Sequence, residues 1–328
     1  MKMKIFLPCI LLALMMAACT PKVQKKSDAV SVQLKWVHQA QFGGLYLAQE
    51  KGYYLDENLA VTLIEGGSDI DPIEAVLNGK AQIGISGPSE VFLAKDSGAA
   101  IKVIATIFQR NPAVFVAMGD SGITSPYDFV GKKIAVQGNE DYEIQLEAML
   151  KKLGITLDQV DLVPHTYETS DLTEGQVDVQ GYYSTGGLLR LRNAGNQVNL
   201  IWPDDYGLHL NSDCIFTTDE FISNNPDLIE RFLRATLKGW QYAIGNVDET
   251  VDATLKYALE EDRGLQAQMM EANIPLIHTG DVEIGWIDVG VWQNMQKILL
   301  DKGLLQSEVN LDEVLYPDFI QDIYGIHE

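Results

Sequence analysis

The hydrophobic pattern of the chain switches repeatedly between a strand-like and a helix-like period. Residues 30–37 (VSVQLKWV) are β-branched and apolar and predict a strand. Residues 43–51 then place Leu45, Leu47 and Ala48 against Gln49, Glu50 and Lys51, a short amphipathic helix with Gly52 as its C-cap. A second strand is predicted over 61–64, which completes a βαβ unit. The alternation continues with a helix over 72–78, a strand over 81–85, a helix over 90–97, and strands over 101–108 and 113–118. Gly119-Asp120-Ser121-Gly122 interrupts it.

A second series follows: a short helix over 126–130, a strand over 133–136, and a long helix opened by Asn139-Glu140-Asp141 and closed by Gly154. Strands are predicted over 160–164, 177–182 and 198–202, with helical pieces over 172–174 and 188–193 between them. Residues 214–218 match 113–118 in length and apolarity. The two predict a pair of strands that cross between lobes. Beyond 221 the pattern is helical, over 228–244, 251–260, 265–271 and 289–302. The expected architecture is α/β and two-lobed, with lobe one at 30–117 and 216–328 and lobe two at 118–215.

In such a fold the cleft is lined by loops at the C-terminal ends of the strands. Aromatic residues recur there: Trp36, Phe42, Tyr142, Tyr183, Trp202 and Tyr206, with Tyr182 expected to point away beside Tyr183. Such rings can stack on a planar molecule. Gln39, Gln41, Gln109, Asn111, Gln137 and Asn139 add side-chain amides, which donate and accept at once. Gly66 and Ser86 sit on two further loops of the same set. Acids occupy the helix starts: Asp69 and Asp71, Glu90, then Glu140, Asp141 and Glu143. They stabilise the helices and oppose the field that would otherwise attract an anion there.

The 46 Asp and Glu against 24 Lys and Arg give a formal charge of −22, which argues against nucleic acid as a partner. Residues 1–18 read as a signal peptide, with Lys2 and Lys4 before the apolar run 5–16. Met16-Ala17-Ala18 before Cys19 resembles a bacterial lipobox, which implies a lipid on Cys19, a tether over 19–29, and attachment to the periplasmic or extracellular face of the cell membrane. Cys214 lies in an apolar run and reads as a buried structural thiol. No CxxC, HExxH or GxSxG motif is present, so no metal or hydrolase site is expected.

A family resemblance rests on Leu34-Lys35-Trp36, Gly44-Leu45-Tyr46-Leu47-Ala48, Lys51-Gly52-Tyr53-Tyr54, Leu59-Ala60-Val61 and Gly66-Gly67. Gly79-Lys80-Ala81-Gln82-Ile83-Gly84 and Gly131-Lys132-Lys133-Ile134-Ala135-Val136 extend it over nearly the whole chain. The chain resembles the periplasmic substrate-binding proteins of the thiamine-precursor type, which include flavin-type binders, fungal pyrimidine synthases and, more distantly, sulfonate and nitrate binders. The resemblance implies a two-lobed periplasmic-binding-protein fold of type II. It also implies a monomeric solute-binding protein of an ABC importer, with a heterocyclic vitamin or vitamin precursor as ligand, a membrane permease as partner, and no cofactor. From the cleft loops, the expected ligand residues are Trp36, Gln41, Phe42, Gly66, Ser86, Gln109, Asn139, Tyr142, Tyr183 and Tyr206. Sulfonate or nitrate binding is the alternative within that class. An enzyme is disfavoured, because Phe42 and Thr62 stand where the synthases carry a reactive histidine and a cofactor-binding lysine. Ser184-Thr185-Gly186 departs from the aminopyrimidine binders, which carry a glutamate there, and leaves a flavin-type or other ring open.

Overall fold

The structure, a computed structural model, describes residues 27–136, 141–166, 168–259 and 262–326. The expected leader, Cys19, Gln137, Asn139 and Glu140 lie outside the described residues. Among the described residues are ten strands: β1 (Asp28–Gln33), β2 (Leu59–Ile64), β3 (Ile83–Ser86), β4 (Ile101–Phe108), β5 (Ala113–Met118), β6 (Lys133–Val136), β7 (Asp161–Pro164), β8 (Val179–Tyr183), β9 (Val198–Ile201) and β10 (Ser212–Thr218). They form two five-stranded sheets, in the orders β2-β1-β3-β10-β4 and β7-β6-β8-β5-β9.

The two sheets share one plan. A central strand pairs in parallel with two others: β1 with β2 and β3, β6 with β7 and β8. One antiparallel strand then joins that trio to the sheet's last strand: β10 lies between β3 and β4, and β5 between β8 and β9. Parallel strands must be joined by crossovers, and each crossover here carries helical segments that cover the sheet faces.

This pairing corrects the expected crossings. β5 and β10 do not themselves pass between lobes. β5 runs with Phe115 opposite Gly181 and Ile201, wholly in the second sheet. β10 runs with Cys214 opposite Ser86 and Thr106, wholly in the first. The chain crosses at 109–112 and again at 202–211, so the second sheet begins at Ala113 rather than after 117, and the first resumes at Ser212 rather than 216. Apolar content marks both strands as buried, but sheet membership depends on partners distant in sequence.

Each sheet is packed on both faces. Along β5, Phe115 points to one core while Val114 and Val116 point to the other, as the period of two requires. In the first lobe the helices Gly43–Glu50 and Pro226–Ala243 pack face to face. Their approach needs glycine on both sides. A Cβ on Gly44 would lie 2.1 Å from the Trp240 indole, and one on Gly239 would lie 2.2 Å from the Gly44 carbonyl. Tyr54 stacks on Phe232 (5.7 Å, 4°) and shares a 2.9 Å hydrogen bond with Thr236, which seals the same layer.

Two helices of the first lobe also reach the second. The C-terminal residue of helix Val289–Lys302 places its ammonium 3.3 Å from Glu143 and 2.7 Å from Glu147, both on helix Asp141–Lys152. Across the molecule, Asn193 donates to Gln268 of helix Arg263–Ile277 at 2.8 Å. Cys214 is fully buried, donates to the Ser86 carbonyl at 3.2 Å, and burial pushes its thiol pKa up. Among the described residues no helix is long and apolar enough to cross a membrane.

Candidate ligand-binding cleft

A cavity of about 620 Å³ opens between the two sheets. The first lobe supplies Lys35, Trp36, Gln39 and Gln41 from the loop after β1, Gly67 and Ser68 after β2, and Ser86 at the end of β3. The second lobe supplies Tyr142, His165 after β7, Tyr182 and Tyr183 of β8, and Arg190 of helix Gly187–Asn193. Most of these positions follow the C-terminal end of a parallel strand, where open α/β sheets leave a crevice.

The loop after β1 is braced from beneath. Gln33, buried at the end of the strand, donates from Nε2 to the Glu65 carbonyl at 2.9 Å. The Gly66 N–H donates to the Trp36 carbonyl at 3.0 Å. A Cβ on Gly66 would lie 2.2 Å from the Leu34 carbonyl oxygen, so only glycine lets the two loops lie together. Trp36 is half-buried, with one part against the core and one part on the cavity.

The opposite wall is aromatic. Tyr142 lies parallel to His165 (5.8 Å, 5°) and edge-on to Tyr183 (5.6 Å, 66°), while Tyr182 meets His165 edge-on (5.8 Å, 78°). Glycines make room for the rings: a Cβ on Gly181 would press on Tyr142 at 3.0 Å, and one on Gly187 on Tyr182 at 2.2 Å. His165 Nε2 lies 2.7 Å from the Gly181 carbonyl, an acceptor, so Nε2 carries the proton and donates. Burial lowers the His165 pKa, opposed by that hydrogen bond and by the Asp171 charge, and the ring is neutral at pH 7.

Asp213 holds two of the lining residues, Lys35 and Gln41. It is 2% exposed, at the start of β10, with φ of 31°, a left-handed conformation uncommon for a residue with a Cβ. Its carboxylate takes Lys35 Nζ at 3.3 Å, Gln41 Nε2 at 2.7 Å and the Ser212 hydroxyl at 3.3 Å. Tyr183 closes the ring from the other lobe, with its hydroxyl 3.4 Å from Lys35 Nζ and 3.2 Å from Ser212 Oγ. A buried carboxylate with this many donors is satisfied rather than stranded.

Of the expected ligand residues, the cavity brings together Trp36, Gln41 and Ser86 from one lobe and Tyr142 and Tyr183 from the other. Four lie elsewhere. Phe42 is buried in the first lobe's core. Gly66 is the spacer between two loops, and its neighbour Gly67 reaches the cavity instead. Gln109 turns inward, donating to the Thr106 and Trp286 carbonyls at 2.6 and 3.0 Å. Tyr206 packs on the second lobe's core. Asn139 lies outside the described residues. Tyr182, expected to point away, is buried and borders the cavity beside Gly187. Lys35, His165, Arg190 and Asp213 were not anticipated. The available signals were a lysine inside an otherwise apolar run, a histidine directly after Pro164, and an aspartate opening an apolar strand.

The chain matches the family model described as NMT1/THI5 like over residues 39–250. It belongs to the NMT1/THI5-like family. Within the range of that family it is 26% identical over 320 residues to the riboflavin-binding protein RibY of Chloroflexus aurantiacus, covering 93% of this chain and 89% of RibY. It is 27% identical over 282 residues to the formylaminopyrimidine-binding protein of Halalkalibacterium halodurans, covering 84% and 82%. Among solved structures, the periplasmic aliphatic sulphonate binding protein SsuA of Escherichia coli superposes with a TM-score of 0.74 at 15% identity, covering 88% of this chain and 92% of SsuA. The NMT1/THI5-like chain described here therefore has the periplasmic-binding-protein fold.

Proposed function

We propose that this protein is the solute-binding component of an ABC importer and that it holds a small planar heterocycle, of flavin or aminopyrimidine type, unchanged between its lobes. The observation that carries this reading is the pairing of Trp36 on one wall with Tyr142 and Tyr183 on the other, across a cavity of about 620 Å³. That volume lies within the roughly 300–1,000 Å³ of small-molecule sites. Relatives named for riboflavin and formylaminopyrimidine support it.

Charge weighs against the sulfonate or nitrate alternative. Among the described lining residues, Lys35 and Arg190 are matched by Asp71 and Glu90. Asp71 also caps helix Pro72–Leu77, accepting from the N–H groups of Ile73 and Glu74 at 2.7 and 3.2 Å, so that helix end is already neutralised. Catalysis is not part of the reading: Phe42 is buried core, and Thr62 lies on β2.

The test is a titration of intrinsic fluorescence and melting temperature with riboflavin, formylaminopyrimidine, taurine and nitrate. A ring compound should quench and stabilise where the anions do neither, and Trp36→Ala should weaken ring binding by about tenfold or more. Stabilisation by taurine or nitrate alone would overturn the reading, and turnover of a bound ring would make the protein an enzyme. The reading includes export and a lipid on Cys19, with the permease receiving the ligand at the membrane. Cys19→Ala should then appear in the soluble fraction; persistent membrane retention would refute the anchor.

A further inference from the structure

The side-chain amides at the floor of the cleft cannot turn independently. The Asp213 carboxylate, 2% exposed, accepts from three donors: Lys35 Nζ, Gln41 Nε2 and the Ser212 hydroxyl. Gln41, 4% exposed, must therefore turn its NH2 group to Asp213, at 2.7 Å, and its carbonyl away. That carbonyl accepts Nε2 of Gln39 at 2.7 Å. Gln39 is half-buried and lines the cavity. It is left with its own carbonyl oxygen and its second N–H, and no described residue takes either.

We propose that the relay from Asp213 through Gln41 to Gln39 fixes the order of donor and acceptor at the cleft floor, so that the site selects rings carrying N–H or NH2 beside a ring acceptor and rejects ligands that offer oxygens alone. A lactam or imide edge, or an amino group next to a ring nitrogen, complements Gln39 with two hydrogen bonds. A sulfonate or nitrate can take the remaining Gln39 N–H but brings no donor to the Gln39 carbonyl, which it leaves unpaired in the cleft. This inference rests on the reading that a planar heterocycle occupies the cleft, and it names the edge by which that ring is read. The Asp213 backbone is left-handed (φ 31°). Asparagine tolerates that conformation. The amide introduced by Asp213→Asn would have to turn its oxygen to the Lys35 ammonium and its NH2 to Gln41. Both glutamines would reverse, leaving Gln39 with donors only.

The experiment is titration calorimetry of the full chain with riboflavin against N3-methylriboflavin, and with formylaminopyrimidine against its analogue dimethylated at the ring amino group. The wild type should favour the N–H member of at least one pair by about tenfold or more. Gln39→Leu and Asp213→Asn should each bring that ratio within about twofold, an effect that a merely structural residue would not produce. If Asp213→Asn does not fold, Gln39→Leu alone carries the comparison. Ring binding without N–H preference, or a preference that survives Gln39→Leu, would overturn the relay and leave the proposed function standing. Failure of both rings to bind would overturn both.

Discussion

At the scale of single residues, two histidines sit where protonation is disfavoured. Burial lowers the pKa of His165 and of His38, in the latter case opposed by the Glu65 charge. The unfolded chain would protonate both near the ordinary 6.5, while the folded chain keeps them neutral to lower pH. Between those values the unfolded state binds more protons, so stability rises with pH and is lost as pH falls through about 6.5. For His165 the slope is at most about 1.4 kcal/mol per pH unit. Melting curves between pH 7 and pH 5 should show this loss, and His165→Gln should flatten it. A variant that keeps the full acid sensitivity would show that His165 is not its source. Because His165 lies parallel to Tyr142 and donates to Gly181, its protonation also adds a charge behind the aromatic wall.

Elements are where sequence and structure agree best, and where the disagreements have identifiable causes. β4 and β5 lie within the expected bounds, since both are unbroken apolar runs between polar breaks. The helix Gly43–Glu50 is followed by an unexpected turn of helix at Tyr53–Asp56, because Gly52 in the left-handed region (φ 75°) redirects the chain rather than stopping it. Helix Arg263–Ile277 outruns its predicted end at 271 and carries Pro275 in its last turn. Ring residues at strand ends are a local signal that does not separate cleft from core: Trp36, Tyr142 and Tyr183 line the cavity, whereas Phe42, Trp202 and Tyr206 pack on cores. Asp213 was not legible, since its meaning comes from Gln41, 172 residues away. Gly44 tests how far local preference yields to packing. Replacing a helical glycine by alanine gains about 1 kcal/mol in helix propensity. Here the new Cβ would lie 2.1 Å from Trp240, and overpacking costs about 1–3 kcal/mol. Gly44→Ala should therefore lower stability in chemical denaturation. An increase would mean that the two helices can part at little cost.

For the whole molecule, the question is how the lobes are held. Lys302 is nearly buried between Glu143 and Glu147, which join helices of different lobes on the side of the Val289–Lys302 helix. Lys302→Met keeps the apolar stem but leaves two carboxylates without this partner. The variant should show a larger radius of gyration without ligand, and an apparent affinity weaker by about threefold to tenfold as the competent closed population falls. Scattering profiles indistinguishable from wild type would assign the contact to a fixed part of the molecule rather than to closure.

The placement of β10 has a consequence for the order in which the protein can be made. Synthesis runs from the N-terminus, and β3 and β4 are complete by residue 108, yet the strand that belongs between them begins only at Ser212. The second sheet meanwhile has all five of its strands once Ile201 has emerged. The later half of the first-made lobe thus acts as its keystone, and the nested lobe is free to mature before the lobe that surrounds it. A released chain truncated just short of Ser212 should protect the amides of β5 to β9 from exchange while β4, whose strand neighbour is β10, remains open. Equal protection of β4 would show that it finds another partner while it waits.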